Sequence, residues 1–288
     1  MAAILAAFLP VAMMVLMFTL GLGLGRRDLG GALRGSRAYP AGLLVQVVGL
    51  PLLAYGIGRG FGLSQVMMAG LMLVAASPGG VTSNYATLLM RGRVGLSVAM
   101  TLTTSLLAPL TLPLVLALVG VAAPQPGALL KISLGMVAVA IVPMLAGMGA
   151  ARLAPRAMAR LACVLDSVAK ALFVLMALAT FVQNWGAMQG AFAEVGLAVI
   201  ALAVAGPVLA VLVGRAMGIE PAGVRTILTE VSLQNVAITL FVAGSLLHDP
   251  QLAIPGLIYA VVMNIVVLTL IALGGVWPRA QLARSDRA

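Results

Sequence analysis

The chain has 288 residues, 62% of them hydrophobic and 8% charged, and its net charge is +10. Soluble globular domains carry roughly a quarter charged residues, so this composition excludes a soluble domain. Apolar runs repeatedly reach the roughly 20 residues that a helix needs to cross the hydrocarbon core of a bilayer. The alternating strands of an outer-membrane barrel are absent from the sequence. We therefore expect an all-α polytopic membrane protein embedded in the lipid bilayer.

Nine apolar segments follow one another along the chain, each long enough for one membrane crossing. Their approximate limits are 1–24, 40–59, 64–90, 94–120, 127–150, 161–183, 188–214, 222–247 and 252–277. The first segment has no basic region before it and no clear cleavage site, so we predict a retained span rather than a signal peptide.

Basic residues fall mainly on one side of these segments, as the positive-inside rule requires. Fourteen of the 17 lysines and arginines lie on that side: Arg26, Arg27, Arg34, Arg37, Arg91, Arg93, Arg152, Arg156, Arg160, Arg215, Arg225, Arg279, Arg284 and Arg287. Arg59 and Lys131 lie on the other side, and Lys170 lies within the sixth segment. This alternation predicts nine transmembrane helices with the N-terminus outside and the C-terminus in the cytoplasm. It also explains the net charge without a nucleic-acid partner.

Two of the segments contain polar interruptions, and they lie in opposite halves of the chain. The third is interrupted by the run SPGGVTSN at 77–84, in which a proline and two glycines can break the helix. The eighth is interrupted by TEVSLQN at 229–235, which brings a carboxylate, two carboxamides and two hydroxyls into an apolar stretch. Because the two segments run in opposite directions, we predict inverted-topology repeats whose two broken helices cross near the midplane. The fifth segment has no counterpart in this scheme.

Glu230 is the strongest functional candidate, because a carboxylate within a membrane span is costly and is usually retained for function. A structural carboxyl that forms only internal hydrogen bonds is the alternative. Gln234 follows one helical turn later. Where the helix unwinds, the carbonyl groups of Val231 and Leu233 become available, and a hard cation such as sodium prefers oxygen ligands of this kind.

Further oxygen atoms lie close to the first interruption. Ser83 and Asn84 follow the glycines, and Ser97 and Thr101 share one face of the next segment because they are four residues apart. The two hydroxyls of that face could instead bond to carbonyls of their own helix or to a neighbouring helix. Gln46 is a lone amide in an apolar segment and by itself indicates only a hydrogen bond. Half-helix N-termini at the crossing would favour an anionic substrate group.

Enzymatic and metal chemistry lack a recognisable site in the sequence. No Walker lysine follows a glycine loop, and no pairing of nucleophile and base is visible. Cys163 is the only cysteine, so neither an internal disulfide nor a thiolate metal cluster is possible. We expect a protein that is not an enzyme and that needs neither a transition metal nor a cofactor apart from a coupling ion.

The sequence resembles the bile acid:sodium symporter family, particularly its bacterial members. The matching stretches are GLGL at 21–24, SPGG at 77–80 through Ser83 and Asn84, GLSVA at 95–99 through Thr101, and TEV at 229–231 with Gln234 and Asn235. The resemblance implies two sodium ions near the crossing of the broken helices. The first site would use Ser83, Asn84, Ser97, Thr101 and Glu230. The second would use Gln46, Glu230, Gln234 and the carbonyls of Val231 and Leu233.

The resemblance also implies a substrate side and a division into two moving parts. Thr82, Asn235 and Asn264 would face the substrate, although Val81 and Met263 stand where relatives can have polar residues. Residues 40–120 and 188–277 would form a core domain. The core would move against a panel of spans 1–24, 127–150 and 161–183. The chain looks like a nine-span form that lacks the first helix of a ten-span family, which agrees with the unmatched fifth segment.

These observations predict a sodium-coupled secondary active symporter that imports a small organic anion, such as a bile-acid-like or other carboxylate, by alternating access. We expect a monomer in the inner membrane of a bacterium. Two alternatives remain open: a proton-coupled organic anion transporter with Glu230 as the proton carrier, and a membrane sensor that binds an anion without moving it. An arsenite-type exporter is less favoured because no cysteine lies at a broken helix.

Overall fold

The computed structural model describes residues 2–23, 36–120, 127–183 and 185–274. Within these ranges the chain is helical and no extended strand is formed. The helices are α1 (Ala2–Gly23), α2 (Ala38–Gly60), α3 (Gln65–Ala76), α4 (Val81–Leu89), α5 (Val94–Leu118), α6 (Ala128–Met136, Val137–Ile141 and Val142–Leu153), α7 (Pro155–Gln183), α8 (Trp185–Ala216), α9 (Pro221–Ser232), α10 (Val236–Phe241 and Val242–Leu246) and α11 (Ile254–Gly274). The all-α prediction is confirmed for this part of the chain.

Five helices of the described ranges are long and apolar enough to cross a membrane: Ala38–Gly60, Val94–Leu118, Leu130–Leu153, Trp185–Ala216 and Pro250–Leu273. The count of nine spans and the orientation of the termini stay predictions. Arg26, Arg27, Arg34, Arg279, Arg284 and Arg287, on which the orientation partly rests, lie outside the described residues.

One helix extends several residues beyond the membrane span that the sequence predicts. Helix α7 begins at Pro155, whereas the hydrophobic pattern placed the start of the sixth segment at 161. Proline suits the first turn of a helix, where its missing N–H is not needed, so the helix begins within the basic loop. Arg156 therefore lies in the first turn of α7 rather than in a connecting loop.

The two interruptions break their helices at the predicted places. Helix α3 ends at Ala76 and α4 begins at Val81, whereas α9 ends at Ser232 and α10 begins at Val236. The broken ends pair as a single antiparallel bridge between Gly79 and Gln234. The pairing uses main-chain atoms of both breaks, since the Gly80 N–H donates to the Leu233 carbonyl (2.7 Å) and the Asn235 N–H donates to the Pro78 carbonyl (2.9 Å).

These bonds satisfy backbone groups that two broken helices would otherwise leave unpaired in an apolar interior. The two interruptions therefore meet in the structure, and their crossing near the membrane midplane stays a prediction. The inverted repeat that would explain it stays a prediction.

Helices pack around this crossover on several sides. Helix α8 contacts α9 and α11, and α5 contacts α3, α4 and α9. Helix α1 packs on α6 and α7 instead, and Gly147 meets it so closely that a Cβ there would overlap the carbonyl oxygen of Phe18. The division into a core and a panel stays a prediction.

An ion pair lies at the end of α5 and α9 that is predicted to face the cytoplasm. The guanidinium of Arg93 lies 2.9 Å from the Glu220 carboxylate and donates to the Ser36 hydroxyl. Nearby, the Arg93 N–H donates to the Thr226 hydroxyl at 2.7 Å. These contacts tie the connection between α4 and α5 to the start of α9.

Candidate cation site at the crossover

Glu230 lies in the last turn of α9, and its side chain is fully buried. The carboxylate accepts three hydroxyl hydrogen bonds. Ser83 Oγ and Ser97 Oγ donate to Oε2 over 2.7 Å and 2.6 Å, and Thr101 Oγ1 donates to Oε1. The structure therefore brings together four of the five residues that the resemblance places at the first sodium site.

The local fold explains why these hydroxyls converge on one carboxylate. Helix α4 restarts directly after the glycines, which places Ser83 in its first turn beside the end of α9. Ser97 and Thr101 are one turn apart on α5 and reach the two different oxygens of Glu230. The alternative that these two hydroxyls bond to carbonyls of their own helix is wrong. Thr104, on the same helix, does make such bonds, to Met100 and Thr101.

Asn84 is the fifth residue that the resemblance places at the first sodium site, and it follows Ser83 on α4. Its side-chain Oδ1 is buried and has no hydrogen-bond partner among the described residues. A buried acceptor without a donor is unfavourable unless a water molecule or an ion reaches it.

Gln46 anchors a second cluster of oxygens. Its Nε2 donates to the Ser77 carbonyl at 2.9 Å and to Gln234 Oε1 at 2.8 Å, while its own Oε1 is buried without a partner among the described residues. Gln234 Nε2 in turn donates to the Val231 carbonyl at 2.8 Å. Hydrogen bonds thus join Gln46 to both breaks, whereas none joins it to Glu230 in the described part of the chain. Each carbonyl oxygen keeps a second lone pair for a further contact.

A π-helical turn at Val45–Gly49 holds Gln46. Such turns are often found at functional sites because the extra residue changes the direction of the side chains. Two other π-helical turns occur in the described ranges, at Val137–Ile141 and Val242–Leu246.

Gly79 fits the site only because it has no side chain. A Cβ at this position would overlap Glu230 Oε1, and one at Gly80 would lie 3.3 Å from the carbonyl oxygens of Gln234 and Leu233. The glycines therefore do more than break the helix, since they let the backbone approach the carboxylate.

The three predicted substrate residues occupy different environments. Asn235 is buried, and its Oδ1 accepts from the Ile238 N–H at 3.4 Å, so it caps α10. Thr82 and Asn264 are exposed, and the Asn264 amide donates to the Ala260 carbonyl of its own helix. Met263 is buried, whereas the side chain of Val81 lies outside the described residues. No hydrogen bond joins the three predicted residues to one another where the structure describes them.

Sequence reasoning missed one layer of the site. Thr87 and Thr229 are fully buried, and their hydroxyl oxygens lie 2.5 Å apart behind Ser97. Thr87 follows Ser83 by four residues on α4, so helical spacing could have placed it on the same face. Ser77 and Thr239 form a similar buried pair across the crossover, with their oxygens 3.0 Å apart.

The donor set decides which ion the site suits. It contains carboxylate, hydroxyl, amide and carbonyl oxygens, with neither thiolate nor imidazole. Oxygen donors of this kind suit hard cations, whereas softer transition metals favour sulfur and nitrogen.

A sequence model of the sodium bile acid symporter family matches residues 10–191. The chain belongs to this family. Glu230 and the second break lie beyond the matched range, so the pairing of the two breaks is an observation independent of that match.

Relatives span plants, bacteria and animals. The chain is 29% identical over 270 residues, 94% of its length and 66% of the relative's, to "Probable sodium/metabolite cotransporter BASS1, chloroplastic" of Arabidopsis thaliana. It is 33% identical over 114 residues, 40% of its length and 36% of the relative's, to "Uncharacterized sodium-dependent transporter YocS" of Bacillus subtilis (strain 168). It is 33% identical over 112 residues, 39% of its length and 26% of the relative's, to "Sodium/bile acid cotransporter 4" of Homo sapiens. The matched part of the chain thus covers less than two thirds of the length of each of these relatives.

Proposed function

We propose that this protein is a sodium-coupled secondary active transporter that imports a small organic anion by alternating access. The observation that carries the proposal is the fully buried Glu230 carboxylate, which is surrounded by hydroxyls from α4 and α5. Membership of the sodium bile acid symporter family supports the choice of ion.

Two sodium positions are proposed around this carboxylate. The first uses Glu230 with the hydroxyls and Asn84, whose Oδ1 lacks a partner among the described residues. The second uses Gln46 with Gln234 and the carbonyls of Val231 and Leu233, with Glu230 as the shared charge. The unpartnered Gln46 Oε1 supports it.

Charge balance favours an anionic cargo. Two sodium ions around one carboxylate leave one surplus positive charge in a region of low dielectric constant, where an uncompensated charge is costly. An organic anion near Asn235, Thr82 and Asn264 would offset it. We propose that the core moves against the panel around this site, in a protein that acts as a monomer in a bacterial inner membrane.

Proton coupling is the second candidate, with Glu230 as the proton carrier. The specific observation in its favour is the full burial of Glu230, because a charge is costly in an apolar interior and a proton would remove it. Uptake that follows pH and ignores sodium would support this candidate. Saturable binding without accumulation in vesicles would favour a sensor.

The deciding experiment is a screen of organic anions for uptake into proteoliposomes, with sodium inside and outside replaced in turn by potassium. We expect accumulation only with an inward sodium gradient. Glu230→Ala should abolish it, while Glu194→Gln, at an exposed carboxylate far from the crossover in sequence, should retain it. Sodium-stimulated uptake of wild-type size by folded Glu230→Ala protein would refute the assignment.

A further inference from the structure

Thr87 connects the proposed sodium site to the other half of the crossover. It lies on α4, one helical turn after Ser83, and is fully buried. Its hydroxyl oxygen is 3.3 Å from Ser97 Oγ and 2.5 Å from Thr229 Oγ1 on α9. Thr87 therefore contacts a hydroxyl that bonds to Glu230 but does not itself bond to the carboxylate.

Counting protons limits the directions that these hydrogen bonds can take. Each hydroxyl has one proton to donate and two lone pairs that accept. Ser97 gives its proton to Glu230 Oε2, so it must accept from Thr87. When Thr87 donates to Ser97, Thr229 donates to Thr87 across the short contact. When Thr229 donates to the Thr226 carbonyl instead, Thr87 donates to Thr229. Only the first of these arrangements includes Ser97.

The result is a chain of donors that all point the same way, from Thr229 through Thr87 and Ser97 to Glu230. Hydrogen bonds aligned in this manner polarise and strengthen one another. Thr229 also lies 2.9 Å from the Thr226 carbonyl and 3.1 Å from the Arg225 carbonyl. Its proton thus has a second destination, on its own helix, and the chain holds only while Thr229 donates to Thr87.

We propose that Thr87 and Thr229 are positioning residues that hold Ser97 Oγ in the orientation a sodium ion needs. With one lone pair of Ser97 taken by Thr87 and its proton by Glu230, the remaining lone pair has a fixed direction. Without Thr87, the Ser97 hydroxyl can turn to a carbonyl of its own helix, as buried serines in helices commonly do. This inference rests on the proposed sodium coupling, and it adds two residues that act through Ser97.

Partners of the first ligands commonly change metal affinity by a factor of ten or more when removed. A neutral hydroxyl contributes less than a charged group, so we expect Thr87→Val to raise the half-saturating sodium concentration about fivefold to tenfold. Thr229→Val should produce a similar shift from the other end of the chain. Valine keeps the shape of threonine and replaces its hydroxyl with a methyl group.

The test measures the melting temperature of purified protein in detergent during a titration of sodium chloride against choline chloride at constant ionic strength. Thr87→Ser keeps the hydroxyl and should bind sodium within about twofold of wild type. Thr104→Val is the matched control, because Thr104 is a buried threonine on α5 that bonds only to carbonyls of its own helix. It should leave the sodium response unchanged.

The outcomes separate this inference from the function on which it rests. If wild-type protein shows no sodium response, the proposed coupling ion is wrong. If wild type responds and both valine variants have wild-type sodium affinity, the positioning role is wrong. An equal shift in Thr104→Val would also overturn it, since the effect would then come from packing. A melting temperature in choline chloride that matches wild type shows that each variant is folded.

Discussion

Gly79 lies directly against the carboxylate of Glu230, with no room for a Cβ atom between them. The two residues come from different breaks and are held in place by the main-chain bridge between Gly79 and Gln234. A side chain at position 79 can therefore be accommodated only by moving the backbone bridge or the carboxylate.

Gly79→Ala should weaken the proposed sodium site, because displacing Glu230 breaks its alignment with Ser83 and Ser97. We expect the sodium-dependent rise in melting temperature to be lost in a titration against choline chloride. Gly56→Ala is the control, since a Cβ there meets nothing within 4 Å. Retention of the full sodium response by Gly79→Ala would show that the close approach of Gly79 to the carboxylate is not needed for sodium binding.

Gln46→Met should remove one of the two proposed ions and leave the other. Methionine fills a similar volume but supplies neither the amide donor to Gln234 nor the unpartnered oxygen. With two coupled sites the dependence of uptake on sodium is sigmoidal, and we expect it to become hyperbolic in this variant. Gln65→Met, at an amide that bonds to the Val119 carbonyl, should keep the wild-type shape. A sigmoidal curve in Gln46→Met would argue against the second site.

Asn235 has a structural role and a proposed substrate role, and two variants separate them. Asn235→Ala loses the cap of α10 and should cost about 1 kcal/mol of stability, whereas Asn235→Ser retains an acceptor for the Ile238 N–H. If the amide faces the cargo, both variants should raise the KM for the anion at saturating sodium. A wild-type KM in Asn235→Ser would assign the residue to capping alone.

Glu220→Gln should have only a small effect on stability. The ion pair with Arg93 is 34% and 51% exposed on its two sides, so its loss should cost less than about 1 kcal/mol. The difference from wild type should shrink as choline chloride screens the charges. Thermal unfolding at low and high choline chloride provides the measurement. A large, salt-independent loss would show that the pair is needed to hold α9 in place.

Orientation in the membrane can be read with a single cysteine. In a Cys163→Ala background, Phe61→Cys follows α2 on the predicted outer side and Met217→Cys follows α8 on the predicted cytoplasmic side, and both positions are exposed. An impermeant maleimide should label the first in intact cells and the second only after the cells are opened. The reverse pattern would invert the predicted topology.

Much of the site was predictable because its residues lie in short polar runs. The run at 77–84 predicts its helix break through a proline and two glycines. The run at 229–235 predicts the second break through polar residues within an apolar stretch. The spacing of Ser97 and Thr101 then places two hydroxyls on one face. Helix α7 begins before the sixth predicted span, because the hydrophobic pattern follows the membrane interior whereas the helix begins at Pro155.

Other features depend on contacts that no local pattern records. Thr87 meets Thr229 across 142 positions of sequence, and a buried threonine in an apolar helix looks the same whether or not it has such a partner. The π-helical turn around Gln46 is equally hidden, because every neighbouring residue is apolar and no periodicity changes there.

The two breaks are joined by main-chain groups, whereas the first proposed sodium position is formed by side chains alone. Two bonds, from Gly80 to Leu233 and from Asn235 to Pro78, depend on the backbone path that the glycines allow and not on the hydroxyl side chains around Glu230. The bonds that hold the two breaks together are therefore separate from the side chains that would select the ion at the first position. A scaffold of this kind could exchange its ligands one at a time, and so change its ion or cargo, without rebuilding the junction that keeps its halves together.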